Sequence, residues 1–347
     1  MKLFICLFVA LIFSSEVFSQ TESNIITVVG RELIGRVENG ESIREVRGDV
    51  ILTQGNVVIT CDLAIQYLAQ NNAKLIGNVI ITQDTVTITT PEGFYYGNEK
   101  RAFSDKGVKL DDKKIILTAQ IGEYFFNESK ALFKNRVKLF DTVSTMTSDL
   151  LIYYRAEDRA VSVGNVKIMD SENIIYADSL IHFRNEQKSF AFENVAIKNT
   201  SNNSIIYGDH LEDYRLKSYS LIDENPVLIQ IDSSKSENDS LLSIDTLIIK
   251  SNYMEAYRDS TNKFYAKDSV KILRGDFASL SDNATYYRDD EIITLIKETD
   301  SSQTPRMWFE NSQLSGDTVN IFLFERKINK MRSEERRVGK ECRSRWS

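Results

Sequence analysis

A valine recurs every 29 residues through the first half of the chain, and its spacing never slips. It stands at Val50, Val79, Val108, Val137, Val166 and Val195. A period of this length is typical of stacked supersecondary units, each of which buries its apolar side only against its neighbours. The repeat therefore predicts an extended stack of similar units.

The residues around each valine repeat with it and indicate strands. Two residues later comes an aliphatic side chain: Leu52, Ile81, Leu110, Leu139, Ile168 and Ile197. The residue between them varies, so the apolar positions alternate with the period of a half-buried strand. Seventeen residues after the valine comes an aromatic side chain: Tyr67, Tyr96, Phe125, Tyr154 and Phe183. We expect the aliphatic pair and the aromatic residue to point to one side, forming continuous apolar rows along the stack.

Each repeat predicts two strands of roughly ten residues, near the upper end for globular sheets. The first strand crosses a bend just before the valine, and the second ends at the aromatic residue. Glycine or short polar residues, which tolerate unusual backbone angles, mark this bend. The bends are Gly48-Asp49, Gly77-Asn78, Asn135-Arg136, Gly164-Asn165 and Glu193-Asn194.

The repeats divide the chain into a regular part, residues 20–200, and a less regular continuation, residues 201–331. The Ser/Asn-rich segment from Ser233 to Ser240 indicates a loop, and the 29-residue repeat pattern resumes near Val270. About ten repeat lengths, with strands about 4.8 Å apart, predict a stack on the order of 100 Å long. Residues 332–347 break the pattern and resemble a tail found on many unrelated sequences, so we interpret them as non-native.

The first 19 residues have the pattern of a signal peptide, with a basic start, an apolar run and small residues at the cleavage site. This predicts export to the periplasm. Cys61 occupies a position where other repeats carry small residues, so we expect a packed thiol. Without the tail the net charge is −10, which argues against nucleic acid as a partner.

The residue types favour neither catalysis nor a cofactor or metal site. His182 occupies a strand position that we expect to face solvent, and His210 has no companion ligand at metal spacing. Five aspartates recur near the start of the second strand: Asp62, Asp149, Asp178, Asp282 and Asp317. Neighbouring copies should lie about 10 Å apart, wider than the roughly 5 to 9.5 Å of a glycosidase pair. We expect these aspartates to fix the bend through hydrogen bonds from side chain to backbone.

The repeats resemble those of the OstA-like, LptA-type proteins of lipopolysaccharide transport. The resemblance rests on Gly48-Asp49-Val50, on Cys61-Asp62-Leu63-Ala64 with Tyr67, and on their copies at Gly164-Asn165-Val166 and Ala177-Asp178-Ser179-Leu180. The segment from Trp308 to Leu323 looks like a late unit of the larger OstA-like proteins of Bacteroidetes-type bacteria.

This resemblance implies an all-β fold, a stacked antiparallel β-jellyroll that is open along one side. It also implies a function, the binding and transport of lipopolysaccharide or a related glycolipid between the inner and outer membranes. The implied partners are the other transport proteins at the two membranes and further copies of the chain, end to end. The residues expected to line the lipid groove are Val50, Leu52, Tyr67, Val79, Ile81, Tyr96, Val108, Leu110, Phe125, Val137, Leu139, Tyr154, Val166, Ile168 and Phe183.

Two other functions remain open from the residues alone. A closed, dry β-solenoid acting as a scaffold or adhesin needs the same apolar rows as a lipid groove. A carbohydrate-active β-helix enzyme would use the recurring aspartates. Outside the groove, Lys109, Lys138 and Lys167 form a basic line. It is interpreted either as surface and edge protection or as a contact for glycolipid phosphates.

Overall fold

The computed structural model describes residues 25–201, 203–235, 242–299, 303–324 and 327–334. In these ranges the chain forms one antiparallel sheet of 27 strands and two short 3-10 turns, Arg155–Glu157 and Arg215–Lys217. The all-β, antiparallel fold predicted from the repeats is therefore confirmed. The predicted signal peptide, residues 1–19, lies outside the described residues.

The strands follow one another as a meander. They are β1 Thr27–Val29, β2 Glu32–Glu38, β3 Glu41–Gln54, β4 Val57–Tyr67, β5 Asn72–Gln83, β6 Val86–Tyr96, β7 Arg101–Ser104, β8 Val108–Asp111, β9 Ile116–Ala119, β10 Ile121–Phe125, β11 Lys130–Phe140, β12 Thr145–Tyr154, β13 Arg159–Met169, β14 Asn173–Phe183, β15 Lys188–Asn199, β16 Ser204–Tyr214, β17 Tyr219–Asp223, β18 Val227–Lys235, β19 Leu242–Lys250, β20 Tyr253–Tyr257, β21 Lys263–Arg274, β22 Phe277–Tyr287, β23 Ile292–Ile296, β24 Arg306–Phe309, β25 Ser312–Ser315, β26 Thr318–Phe324 and β27 Lys327–Glu334.

Several long strands are interrupted at the bend, so that pairs such as β7 and β8 occupy one level of the stack. The strands thus form roughly 20 levels, which at about 4.8 Å each give a stack about 90 Å long. The sheet continues without a break across residue 200, where β15 pairs with β16. The last strand includes Arg332, Ser333 and Glu334, which the sequence pattern had assigned to the tail.

The predicted bends are present and are β-bulges. Between Ile76 and Val79 the pairing register shifts, and the two residues in between, Gly77 and Asn78, both have a positive φ, of 76° and 46°. The same paired conformation occurs at Gly48-Asp49, Asn135-Arg136, Gly164-Asn165 and Glu193-Asn194. Each bulge kinks its strand, which divides the strand into two halves.

The recurring aspartates secure these bends, but mostly through side chains of the next strand. The carboxylates of Asp62, Asp149 and Asp178 accept hydrogen bonds from the side-chain amides of Asn78, Asn165 and Asn194, at 2.9, 2.7 and 2.7 Å. Asp282 accepts a backbone N–H as expected, that of Glu298 at 2.7 Å. Asp317 instead forms an ion pair with Lys297.

The kinked strands fold the sheet into two walls that face each other across an apolar interior. Leu52, Leu75, Leu110, Leu117 and Leu151 are at most 1% exposed within this interior. The turns lie along the two edges of the folded sheet. The first edge comprises the turns at 68–71, 97–100, 126–129, 155–158, 184–187 and their successors, and the second those at 55–56, 84–85, 112–115, 141–144, 170–172 and their successors. We call the line where the two edges meet the mouth.

Candidate functional site

The predicted aliphatic residues lie in the interior and pack against each other. Val50, Leu52, Val79, Ile81, Val108, Leu110, Val137, Leu139 and Val166 are at most 7% exposed, and Ile168 is partly buried. The cavity beside Ile81 and Val108 measures about 20 Å³, which is little more than the space of one water molecule. In this structure the amino-terminal interior is therefore close-packed.

The predicted orientation of the five recurring aromatic residues is wrong. Tyr67, Tyr96, Phe125, Tyr154 and Phe183 are half-buried on the outer face. From Tyr96 onward each ring has a cation on the next strand above it. The guanidinium of Arg101 lies 4.0 Å from the Tyr96 ring centre and that of Arg159 lies 3.9 Å from the Tyr154 ring centre. These rings therefore form part of an outer aromatic and cationic row, not of the interior.

The bulge explains this reversal. The bulges lie in β3 and β5, on either side of β4, and their extra residues face the centre of β4. In β4 the inward positions are Val57, Ile59 and Cys61, but past this point they become Ala64 and Gln66. Because strict alternation is broken between Cys61 and Ala64, every later side chain of β4 lies on the opposite face from the one that alternation predicts. Tyr67 would point inward only if the strand were regular.

The inward position next to each outer aromatic residue holds a different set of side chains. They are Gln66, Tyr95, Tyr124, Tyr153 and His182, of which the first four are at most 2% exposed. The expectation that His182 faces solvent is therefore also wrong. Its Nδ1 lies 3.0 Å from the Ser189 hydroxyl, and burial lowers the pKa of its imidazole.

Polar bonds join the two edges across the mouth in the amino-terminal part. The Tyr95 hydroxyl donates to Gln54 Oε1 at 2.6 Å, and Gln54 Nε2 donates to the carbonyl of Gly97 at 2.9 Å. The Tyr153 hydroxyl donates to Asp112 Oδ2 at 2.8 Å. These bonds connect residues 41 to 43 positions apart, so they hold the walls together along this stretch.

An ion pair also crosses the mouth, between Asp158 at the first edge and Lys114 at the second edge. The Lys114 Nζ lies 2.8 Å from Asp158 Oδ2, and the carboxylate is 6% exposed. Burial alone would raise the pKa of the Asp158 carboxyl, but the Lys114 ammonium and further donors lower it overall. The ion pair is therefore present at neutral pH and adds to the closure.

Five arginines follow one another along the first edge, at the position directly after the outer aromatic residue. They are Arg155, Arg184, Arg215, Arg258 and Arg288. The first three reach across the mouth, to Thr85 Oγ1 at 2.8 Å, the Lys114 carbonyl at 3.4 Å and Asp170 Oδ2 at 3.3 Å. Arg258 instead bonds to Asp213 on its own edge, at 2.8 Å. This row was not predicted, although each arginine directly follows an aromatic residue in the sequence.

The interior opens beyond these contacts into a cavity of about 370 Å³. Its volume lies in the range of about 300 to 1,000 Å³ that small-molecule sites occupy. Ile206, Leu228, Ile249 and Ile272 line one wall and are register neighbours. They continue the predicted row, since Ile206 pairs with Ile197. The opposite wall includes Phe264 and Ile293, and Gln230, Arg274, Arg288 and Glu291 also line the cavity.

The inward row that carries Tyr95, Tyr124 and Tyr153 continues with His182, Asp213 and Ala256. It then reaches Phe264 and Tyr286, which line the cavity. Sequence reasoning did not locate the cavity, because insertions after Val195 shift the 29-residue register and hide the continuation of the rows.

The remaining candidate residues lie away from the cavity. Lys109 and Lys138 are exposed on the outer face with Thr118 between them, while the Lys167 ammonium lies over the Tyr176 ring. His210 is on the outer face, with Nδ1 2.8 Å from Asp223 Oδ1 and its ring stacked on Phe192. Cys61 is buried, and burial raises the pKa of its thiol to about 11, so it is the packed thiol that was expected.

Metal-binding clusters and long apolar helices are both absent from the part of the chain that the structure describes. In the described ranges there is no group of three or more His, Cys, Asp or Glu side chains arranged to hold a metal ion. Of the helices in the same ranges, none is long and apolar enough to cross a membrane.

Part of the chain matches one known family. Residues 24–118 match the family described as OstA-like protein, which confirms over the first three repeats the resemblance predicted from their motifs. Among solved structures, 14 chains match. One is LptH of Pseudomonas aeruginosa, described as the LptA-homologous periplasmic component of the lipopolysaccharide transport device. It is 14% identical, the match covers 42% of this chain and 93% of LptH, and the TM-score is 0.22. No curated protein matches the chain significantly.

Proposed function

We propose that the protein binds acyl chains of lipopolysaccharide or a related glycolipid in the periplasm and shields them from water during transport. The observation that carries this proposal is the apolar cavity of about 370 Å³ between the two walls of the carboxy-terminal part. The OstA-like match of residues 24–118 supports the same class of protein.

The energetics of transfer define the role as passive. Burial of one methylene group is worth about 0.8 kcal/mol, so the transfer of a twelve-carbon acyl chain into water costs roughly 10 kcal/mol of free energy. Transfer from a bilayer to an apolar cavity is close to neutral. The protein therefore holds or conducts the lipid, and a partner supplies directed transport.

The partners we propose are transport proteins at the inner and outer membranes, and further copies of this chain. Among the described strands, β2 pairs only with β3, and β27 only with β26. Strands with one unpaired side can accept an added strand from another chain. All seven residues of β2 are exposed, which leaves that end accessible.

A second candidate function is a closed scaffold that carries no lipid. The close-packed amino-terminal interior, with its polar bonds across the mouth, favours this alternative for the first repeats. The two functions make different predictions for the carboxy-terminal cavity, because a scaffold needs no ligand there.

Lipid retention distinguishes the two functions. Native mass spectrometry of protein purified from periplasm should detect a bound lipid, and that lipid should displace the uncharged dye N-phenyl-1-naphthylamine. Leu228→Asp places a charge in the cavity wall and should weaken lipid binding by about tenfold or more. Leu273→Asp is the matched control, since Leu273 is 52% exposed on the outer face. If no lipid is retained and the dye does not bind, the transport proposal is wrong.

A further inference from the structure

Arg288 lies at the mouth of the carboxy-terminal cavity and differs from the other arginines of the first edge. Arg215 and Arg258 form ion pairs with Asp170 and Asp213. Among the side chains that the structure describes, no carboxylate lies within ion-pairing distance of the Arg288 guanidinium. The guanidinium donates a hydrogen bond to Asn262 Oδ1 at 3.5 Å and lies 5.9 Å from the centre of the Phe264 ring.

Arg288 combines a positive charge with a place beside the cavity. Its side chain is exposed at the rim, and the neighbouring protein atoms lower the pKa of the guanidinium from its ordinary value by desolvation. A guanidinium remains protonated at neutral pH and binds phosphate or carboxylate with two parallel hydrogen bonds.

Apolar side chains line the same cavity as this charge. Phe264, Ile293, Ile321 and Leu323 line the cavity together with Arg288. Arg274 lines the same cavity, but its Nε donates to Asp245 Oδ2 at 2.6 Å, so that its charge is already balanced. Glu291 also lines the cavity, but it is not within ion-pairing distance of Arg288. A cation without an ion pair, beside mainly apolar walls, is complementary to a molecule with an anionic head and a hydrocarbon tail.

We propose that the cavity selects an anionic amphiphile, with Arg288 binding its phosphate or carboxylate head and the apolar walls enclosing its chain. This inference rests on the proposed lipid-binding function. It adds the charge of the ligand and the residue that binds the charged group. The other arginines of the first edge, held by their own partners, do not share this role.

Two single-chain lipids of equal chain length test the inference: lysophosphatidic acid, which is anionic, and monoacylglycerol, which is uncharged. Both are measured by displacement of N-phenyl-1-naphthylamine from the full chain, below their micelle concentrations. Lysophosphatidic acid should bind about tenfold or more tightly than monoacylglycerol. Arg288→Gln should remove this difference, whereas Arg288→Lys should retain part of it. Arg306→Gln is the control, because Arg306 is exposed on β24 and bonded to Gln303.

The outcomes separate this inference from the function on which it rests. Equal affinity for the two lipids, or an unchanged preference in Arg288→Gln, overturns the role of Arg288 while lipid binding stands. Displacement of lysophosphatidic acid by inorganic phosphate at similar concentration also overturns it, because the site would then recognise phosphate alone. Binding of neither lipid removes the proposed function and this inference together.

Discussion

Gly77 shows how one residue position controls the bend of a whole strand. Its φ of 76° belongs to the left-handed region, and a Cβ at this position would lie 2.3 Å from Asp62 Oδ2. That carboxylate accepts the hydrogen bond from Asn78 that closes the bend. Glycine is therefore needed both for the backbone angle and for the close approach of the aspartate.

Replacement of Gly77 should reveal both requirements. Gly77→Ala should lower the free energy of unfolding by about 2 to 4 kcal/mol, since it adds a steric clash to backbone strain. Gly107→Ala is the matched control, because Gly107 has a φ of 94° but no atom lies within 4 Å of the place that an alanine methyl group would take. The control should lose only about 1 kcal/mol. Urea denaturation of both variants measures the difference, and equal losses would show that the aspartate contact adds nothing.

His182 should make stability depend on pH. In the unfolded chain a histidine protonates near pH 6.5, whereas burial lowers the pKa of His182 in the folded state. Above about pH 6.5 both states are neutral. Below it the unfolded state binds the proton more readily, so folded stability is lost as the pH falls.

The variant His182→Gln, which introduces the residue found at the equivalent position 66, isolates this effect. We expect the stability difference between pH 7.5 and pH 5.5 to be smaller in the variant than in the wild type by on the order of 1 kcal/mol. Denaturation at the two pH values measures it. Identical losses in both proteins would mean that the imidazole titrates as it does in water.

At the scale of the strand, periodicity predicts the positions of the strands well. It predicts less well which face of the sheet each side chain lies on. The ends of β4, β6, β10, β12 and β14 fall on the aromatic residues where they were expected. The direction of those residues was not predictable from alternation, because the inward pattern shifts by one residue in the strand opposite each bulge. The glycine-containing bends show where the bulges are. To predict which face of the sheet each later side chain lies on, one must also know the register in which the strand pairs with its two neighbours.

The hydrogen bond from Tyr153 to Asp112 should be a main contribution to closing the mouth. Tyr153→Phe removes the hydroxyl that donates to Asp112 Oδ2 at 2.8 Å, so the free energy of unfolding should fall by about 1.5 to 3 kcal/mol. Amide hydrogen exchange in the turns at 112–115 and 155–158 should accelerate. Tyr207→Phe is the control, since the Tyr207 side chain is 44% exposed on the outer face. Equal exchange in the two variants would mean that the mouth is closed by packing alone.

At the scale of the whole molecule, one repeat pattern builds two different interiors. In the amino-terminal part, tyrosines alternate with alanines along the inward row, and polar bonds close the mouth. In the carboxy-terminal part, the walls of the same sheet enclose a cavity. The apolar rows were predictable from the sequence. The distance between the two walls was not, because it depends on packing between side chains that are far apart in sequence.

This division predicts that a leucine-to-aspartate substitution acts mainly on stability in the amino-terminal part and mainly on lipid binding in the carboxy-terminal part. Leu139 is 5% exposed in the close-packed interior, so Leu139→Asp buries a charge without a partner and should lower the free energy of unfolding by about 4 kcal/mol or more. Leu228 is partly buried beside the cavity, where water can hydrate the carboxylate. Leu228→Asp should therefore cost about 2 kcal/mol or less and act mainly on lipid binding. Urea denaturation and dye displacement on both variants measure the two effects. Comparable destabilisation of both, with lipid binding lost only in Leu139→Asp, would place the binding site in the amino-terminal interior instead.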